Sequence, residues 1–422
     1  MHDPHPVRLV VEDDYRRSRL TVVFRLLLAI PHFVWFFLWT LLTVLTAVAN
    51  WLISIFTGTP PSGLHRLLCS YVRYQAHLSA YLSLVGNPYP GFGGAAGEYP
   101  IDVVLPEEPV AQRRWTIVVR IFLAIPALIV SAALAGSTGG GYAFSTRRAR
   151  NSTGGAGGGG GALLAACAVL GWFASLAQAR MPKGLRDAGA YAIGYTAQTS
   201  AYVLLVTDRY PNADPTEMLV DVTDRPPLHP VRVVGDPYDL RRSRLTVFFR
   251  LLLALPHIIW LLLWGIAAFF AAIAQWFVTL FRGRPAVGLH RFLTSYVRYR
   301  LHVYAYLTLV GNPFPGFAGA AGTYPLDLEV AGPERQNRWK TGFRIVLAIP
   351  AFIVNAALSG ALYGSAFLTW FYALVKGSAP WGLRNLSAYA LRYDAQTQGY
   401  LVLLTDSYPH ASPLEGDDTP AE

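Results

Sequence analysis

Apolar and polar positions follow one order that recurs four times along the 422 residues. Each round opens on a short alternating segment after a proline: Val7-Arg8-Leu9-Val10-Val11, Ile101-Asp102-Val103-Val104-Leu105, Val231-Arg232-Val233-Val234 and Leu326-Asp327-Leu328-Glu329-Val330. A period of two predicts a half-buried strand. Lone strands leave their ladder groups unpaired, so the four are expected to pair into a small sheet. A basic cluster follows, then an apolar run of roughly 38 residues, longer than the ~20 of a single bilayer crossing. Pro256 to Phe281 holds no Asp, Glu, Lys or Arg, and His32 to Phe56 reads the same way. Unbroken apolarity predicts helices, because membrane barrel strands alternate. The round closes on a helix that is apolar but polar-striped, from Gly63 to Val85 or from Gly288 to Val310.

The punctuation is regular. An arginine stands six residues before a proline at Arg25/Pro31, Arg120/Pro126, Arg250/Pro256 and Arg344/Pro350. A glycine opens the closing helix 32 residues after three of these prolines, at Gly63, Gly288 and Gly382, whereas Gly184 follows Pro126 after 58. The second round therefore carries an insertion of 26 residues, 136–161. Odd rounds resemble odd and even resemble even, as in Arg16-Arg17-Ser18-Arg19-Leu20-Thr21 against Arg241-Arg242-Ser243-Arg244-Leu245-Thr246. The chain thus reads as a copied pair of modules: A over 1–92, B over 93–214, A′ over 225–317 and B′ over 318–410, with an acidic tail at 411–422 expected to be disordered.

A proline within a helix removes a hydrogen bond, so Pro31, Pro126, Pro256 and Pro350 are expected to kink the first helix of each module. Arg25, Arg120, Arg250 and Arg344 are expected to act as interfacial anchors that snorkel back to the headgroups. The glycine-rich insertion carries Arg147, Arg148 and Arg150 and must reach water. Its position predicts a turn at the same place in every module, near Gly265 and Ser359-Gly360. Each module would then hold a kinked spanning helix, a short embedded or interfacial helix and a second spanning helix. Trp51, Trp276 and Trp370 in the short helix fit a membrane boundary.

The closing helix of the odd modules carries the candidate polar stripe. Arg66, Ser70, Arg73 and His77 share one face, and Arg291, Ser295, Arg298 and His302 repeat it. Two readings stand: a polar conduit or anion-binding surface with titratable histidines, and an amphipathic helix whose polar face meets headgroups or neighbours. No matching intramembrane Asp or Glu is evident in the odd modules. The even modules read Asp187, Tyr191, Gly194, Gln198 and Asn385, Tyr389, Arg392, Gln396 at the corresponding positions. A tyrosine pair seven apart recurs in all four, Tyr74/Tyr81, Tyr195/Tyr202, Tyr299/Tyr306 and Tyr393/Tyr400.

Composition agrees with a bilayer: 53% of residues are hydrophobic and 14% charged, against about 25% charged in soluble domains. The net charge of +10 sits at helix entrances and points to anionic lipid headgroups, not nucleic acid, as partner. Cys69 and Cys167 lie in apolar helical stretches without a His or acidic partner at ligand spacing, so neither disulfide nor metal is expected. No catalytic motif appears in its required context, and no cofactor is implied. GxGxxG occurs trivially in Gly154 to Gly161, where no strand precedes it.

The run from Arg19 to His32, repeated from Arg244 to His257, and the closing Tyr400–Pro409 segment resemble an uncharacterised bacterial membrane family, domain of unknown function 4389, common in actinobacteria. The resemblance recurs once per module and implies a helical membrane protein with no established activity. The expectation is an all-α, polytopic, multi-pass protein of the cell membrane, with four tandem repeats, eight spans (twelve as the rival count), cytoplasmic termini and short extramembrane strands. Its role is expected to be that of a non-catalytic scaffold or envelope-associated protein, with a transporter or channel lined by the Arg/His stripe as the alternative.

Overall fold

The structure, a computed structural model, describes residues 5–136, 163–219, 226–235 and 240–414. The chain divides into two compact units that meet in sequence at 224/225. The first contains β1 (Arg8–Val11), α1 (Arg19–Leu28), α2 (Ile30–Thr57), α3 (Ser62–Leu82), β2 (Ile101–Val104), α4 (Arg114–Val118), α5 (Arg120–Ala135), α6 (Leu163–Gln178), α7 (Lys183–Val203) and α8 (Pro215–Met218). The second contains β3 (Val231–Gly235), α9 (Arg244–Arg282), α10 (Val287–Leu307), β4 (Leu326–Val330), α11 (Arg338–Gly342), α12 (Arg344–Lys376) and α13 (Trp381–Leu401). Within the first unit the closing helices α3 and α7 pack on each other, α2 lies on α3, and α5 and α6 lie on α7. The second unit repeats this with α10 and α13 inside, α9 on α10 and α12 on α13.

The strands form two separate antiparallel pairs, one per unit, in place of one four-stranded sheet. β1 pairs β2 from Arg8↔Val104 to Val11↔Ile101, and β3 pairs β4 from Val231↔Val330 to Gly235↔Leu326. Each pair joins an odd module to the even module that follows it. Two partners suffice because the closing helices cover these strands, as described below.

The turn expected inside the apolar run is absent from three modules. α2, α9 and α12 are continuous over 28, 39 and 33 residues, and Gly265, Ser359 and Gly360 lie within helix. Nothing at these positions interrupts the hydrogen-bond ladder, so the short embedded helix is simply the C-terminal half of the long one. Only the second module divides, into α5 and α6, around an insertion outside the described residues. Pro126, Pro256 and Pro350 sit inside unbroken helices, while Pro31 opens α2 after a one-residue interruption at Ala29. The other interruptions, at Val119 and Phe343, precede the arginine and not the proline. The long helices stop at left-handed glycines, Gly58 (φ 80°), Gly283 (φ 69°) and Gly377 (φ 70°). Their amides return to the carbonyls of Ser54, Thr279 and Ala373, each at 2.8 Å.

Burial on α2, and in part on α9, is inverted relative to a water-soluble bundle, whereas α12 buries mostly alanine, valine and leucine against α13. The buried residues of α2 are His32, Thr43, Thr46, Asn50 and Ser54, all polar. Its apolar residues point outward, as at Phe37, Leu45 and Phe56. α9 likewise buries His257, Gln275 and Thr279 while exposing Leu262, Phe270 and Phe281. Helices Ile30–Thr57, Arg244–Arg282 and Arg344–Lys376 are long and apolar enough to cross a membrane.

Candidate functional site

The arginine that precedes each proline, expected as an interfacial anchor, is buried within the fold. Arg25, Arg120, Arg250 and Arg344 are 1–2% exposed, and their guanidinium groups donate into the end of the closing helix of their own module. Arg25 Nη1 donates to the carbonyls of Tyr81 (2.6 Å) and Gly86 (3.2 Å), and Nη2 to that of Asn87 (3.1 Å). Arg250 repeats this on Tyr306 (2.6 Å), Gly311 (3.2 Å) and Asn312 (3.4 Å). In the even modules Arg120 donates to the Thr207 carbonyl and to Gln112 Oε1. Arg344 donates to the Thr405 carbonyl (3.0 Å), Gln336 Oε1 (2.7 Å) and Asp406 Oδ1 (3.1 Å).

A helix leaves its last carbonyls without intrahelical partners, and cations are favoured at that end. Each guanidinium also lies over the second tyrosine of the recurring pair: Tyr81, Tyr202, Tyr306 or Tyr400, 4.2–4.3 Å from the ring centre. The guanidinium groups are thus committed to acceptors within their own module. The closing helices all end at a leucine with positive φ, Leu84, Leu205, Leu309 and Leu403. The carbonyls of these leucines are taken by Arg17, Gln112, Arg242 and Gln336.

The tryptophans tie paired modules together. Trp51 Nε1 donates to the Ile117 carbonyl (2.9 Å) and Trp172 Nε1 to that of Val22 (3.2 Å). In the second unit Trp276 and Trp370 donate to Thr341 (2.8 Å) and Val247 (3.0 Å). Every acceptor lies three residues before the latch arginine of the opposite module. Each unit is therefore a reciprocal pair, A gripping B and B gripping A.

The stripe residues separate into two fates. Arg66 and Arg291, at the helix starts, are exposed and join no cluster with the others. Arg73 and His77 converge on Asp102 of β2: Nε of Arg73 is 3.2 Å and Nε2 of His77 is 3.1 Å from Oδ1. Arg298 and His302 converge on Asp327 of β4 at 3.0 and 3.2 Å. The carboxylates missing from the closing helices of the odd modules thus arrive from the strands that open the even ones. The same carboxylates accept the amides of Gly97 (2.7 Å) and Val103 (2.7 Å), or of Gly322 (2.6 Å) and Leu328 (2.7 Å). Tyr99 and Tyr324 pack on the histidine rings, 5.0 and 4.9 Å between centres. Burial alone would raise the Asp102 carboxyl, but His77 and the two amides hold it below the ordinary value. Burial opposes the same lowering at Asp327, where the amides of Gly322 and Leu328 and His302 prevail.

Both oxygens of each carboxylate accept hydrogen bonds. The arrangement clamps strand to helix. The even modules use neutral clamps at the histidine position, where Gln198 Nε2 donates to the Val7 carbonyl (2.8 Å) and Gln396 Nε2 to that of Val231 (3.4 Å). An open cleft of about 970 Å³ lies over β3 and β4 and reaches Arg298, Tyr324 and Asp327. Asp394 on α13 is paired as well, with Arg300 Nη1 2.9 Å away and Asn355 Nδ2 donating at 3.0 Å. Cys69 has a histidine partner after all: His65 Nε2 is 3.5 Å from its sulfur, one helical turn away. Among the described residues no group of three His, Cys, Asp or Glu is placed to hold a metal.

Comparison with known proteins adds one finding. The family model for a domain of unknown function, DUF4389, matches residues 19–93, 160–213, 244–318 and 338–412. No curated protein and no solved structure matches the chain.

Proposed function

Because the chain belongs to the family of this domain of unknown function, DUF4389, with four copies in tandem, we infer that it is a polytopic membrane protein acting as a non-catalytic scaffold. The observation that carries the membrane reading is the inverted burial of α2 and α9, polar side chains inward and Phe37, Leu45, Leu262 and Phe270 outward. Burying a side chain of this size is worth about 1.5–3 kcal/mol in water, so dozens facing outward call for an apolar solvent. Continuous long helices favour two crossings per module and eight in all over twelve, with the low-hydropathy closing helices inside. Both termini then lie on one side, which the basic clusters assign to the cytoplasm.

The scaffold reading rests on how the polar groups are used. The latch arginines, the module-pairing tryptophans and the aspartate-centred clamps all turn inward and serve assembly of the module pair. The transport reading needs a polar path, and the cleft over β3 and β4 with Arg298 at its wall is its best support. One experiment separates the two. The protein should remain in the membrane pellet after alkaline carbonate, and proteoliposomes should pass protons, chloride and phosphate no faster than empty ones. A flux above that background, abolished by Arg298→Ala with His302→Ala in a folded variant, would establish transport and remove the scaffold reading.

A further inference from the structure

We propose that the first unit carries a phosphate-binding site, built by Arg16 and Arg180, which holds the headgroup of an anionic phospholipid. The proposal rests on the membrane reading above and adds a specific ligand to it. Arg16 and Arg180 form an isolated antiparallel bridge. The hydrogen bonds that flank it are Arg17 N to the Ala179 carbonyl and Met181 N to the Tyr15 carbonyl, both 2.9 Å. This is the non-hydrogen-bonded kind of cross-strand pair, in which facing side chains approach most closely, and like charges directly opposite are unfavourable there.

Among the described residues no side chain pairs with either guanidinium to offset that repulsion. Both arginines are exposed, and among the described residues neither guanidinium has a hydrogen bond or ion pair. The acids next to Arg16 in sequence are engaged elsewhere: Asp13 pairs with the buried Arg17, and Asp14 Oδ1 accepts the Arg16 amide at 3.1 Å. An open cleft of about 540 Å³ adjoins the pair, lined also by Ser18, Asn87 and Gln178. Ser18 supplies a hydroxyl that makes no capping bond to α1. Two guanidinium forks and a hydroxyl around an open space match the oxygens of a phosphate.

Depth favours a lipid phosphate over a soluble one. The cleft lies at the start of α1, whose Leu20 and Leu26 are 69% and 70% exposed, so an anion held there adjoins the apolar surface, as a headgroup does. The second unit places Ser378 opposite Arg241 at the equivalent bridge. Serine at this position is therefore compatible with the fold, and Arg180→Ser is a variant the protein already carries in its other half.

The test uses the full chain in vesicles of phosphatidylcholine, with and without phosphatidylglycerol, and counts retained lipids by native mass spectrometry. Wild type should retain phosphatidylglycerol over phosphatidylcholine, and Arg16→Gln with Arg180→Ser should lower that retention by roughly tenfold at unchanged melting temperature. Equal retention by wild type and the double variant overturns the site. Added inorganic phosphate should leave the lipid in place, and complete displacement by phosphate at low concentration would overturn the assignment to a lipid. Failure of the chain to enter either vesicle would instead overturn the membrane reading. An Arg180→Ser protein that no longer melts cooperatively moves the comparison to Arg16→Gln alone, with the same two outcomes.

Discussion

Replacing Arg25 by alanine removes a guanidinium that donates to three carbonyls, those of Tyr81, Gly86 and Asn87, and that lies 4.3 Å over the Tyr81 ring. A hydrogen bond to a charged group is worth about 1.5–3 kcal/mol net, and a desolvated cation over an aromatic face about 2 kcal/mol. Bonds that share one guanidinium do not add in full, so the loss should be roughly 3–5 kcal/mol. In a unit of this size that lowers the melting temperature by roughly 10 °C. The assay is thermal unfolding in detergent, followed by near-ultraviolet circular dichroism. Arg25→Lys keeps the charge without the planar fork and should recover about half of the loss. Arg19→Ala is the control: Arg19 is exposed and makes one bond, to the Ala177 carbonyl at 3.1 Å, so its removal should cost under about 1 kcal/mol. Equal melting of the Arg25→Ala and Arg19→Ala proteins would refute the latch and restore an interfacial role for Arg25.

Further outcomes follow from the same contacts. Because Asp102 and Asp327 are held below the ordinary carboxyl value in the folded protein, they take up protons less readily folded than unfolded. Their stabilisation is complete above about pH 4 and is lost as pH falls through the lowered folded values. Melting curves of wild type and the Asp102→Asn, Asp327→Asn double variant should therefore differ at neutral pH and converge in acid, and a constant gap would argue against the clamps. Trp51→Phe and Trp172→Phe should each cost about 1 kcal/mol through a lost donor, read as a lower midpoint of unfolding by dodecyl sulfate. A double-mutant cycle on Arg300 and Asp394 should give a coupling of roughly 1–3 kcal/mol. The cycle on Gln75 and Thr196, at the equivalent positions of the first unit, should give none.

The fourfold repeat, the duplication of a two-module block and the long apolar helices are all legible in the sequence, because they depend on periodicity and spacing along one stretch of chain. What contacts what is less legible. The latch acceptors of Arg25 lie 56 to 62 residues away and are backbone carbonyls, which carry no residue code. An arginine at the head of an apolar run therefore looks like a headgroup anchor. The clamp aspartates were visible as residues but belong to strands of the next module, so a search of the helix that holds Arg73 and His77 misses them. The signal was present: Asp102 follows His77, and Asp327 follows His302, by 25 residues in both copies. The false turn at Gly265 came from reading one module's insertion into all four, although helix capping is local and α9 contains nothing to end it before Gly283.

A membrane-embedded architecture requires the outward face of α2 and α9 to contact lipid. Nitroxide labels at Leu45→Cys and Phe270→Cys, on a background lacking Cys69 and Cys167, test this directly in liposomes. Collision with molecular oxygen should be high and collision with a water-soluble nickel chelate low at both sites, with the reverse for a label at Arg16→Cys. Ready access of the nickel chelate to Leu45→Cys and Phe270→Cys would contradict the membrane-embedded architecture.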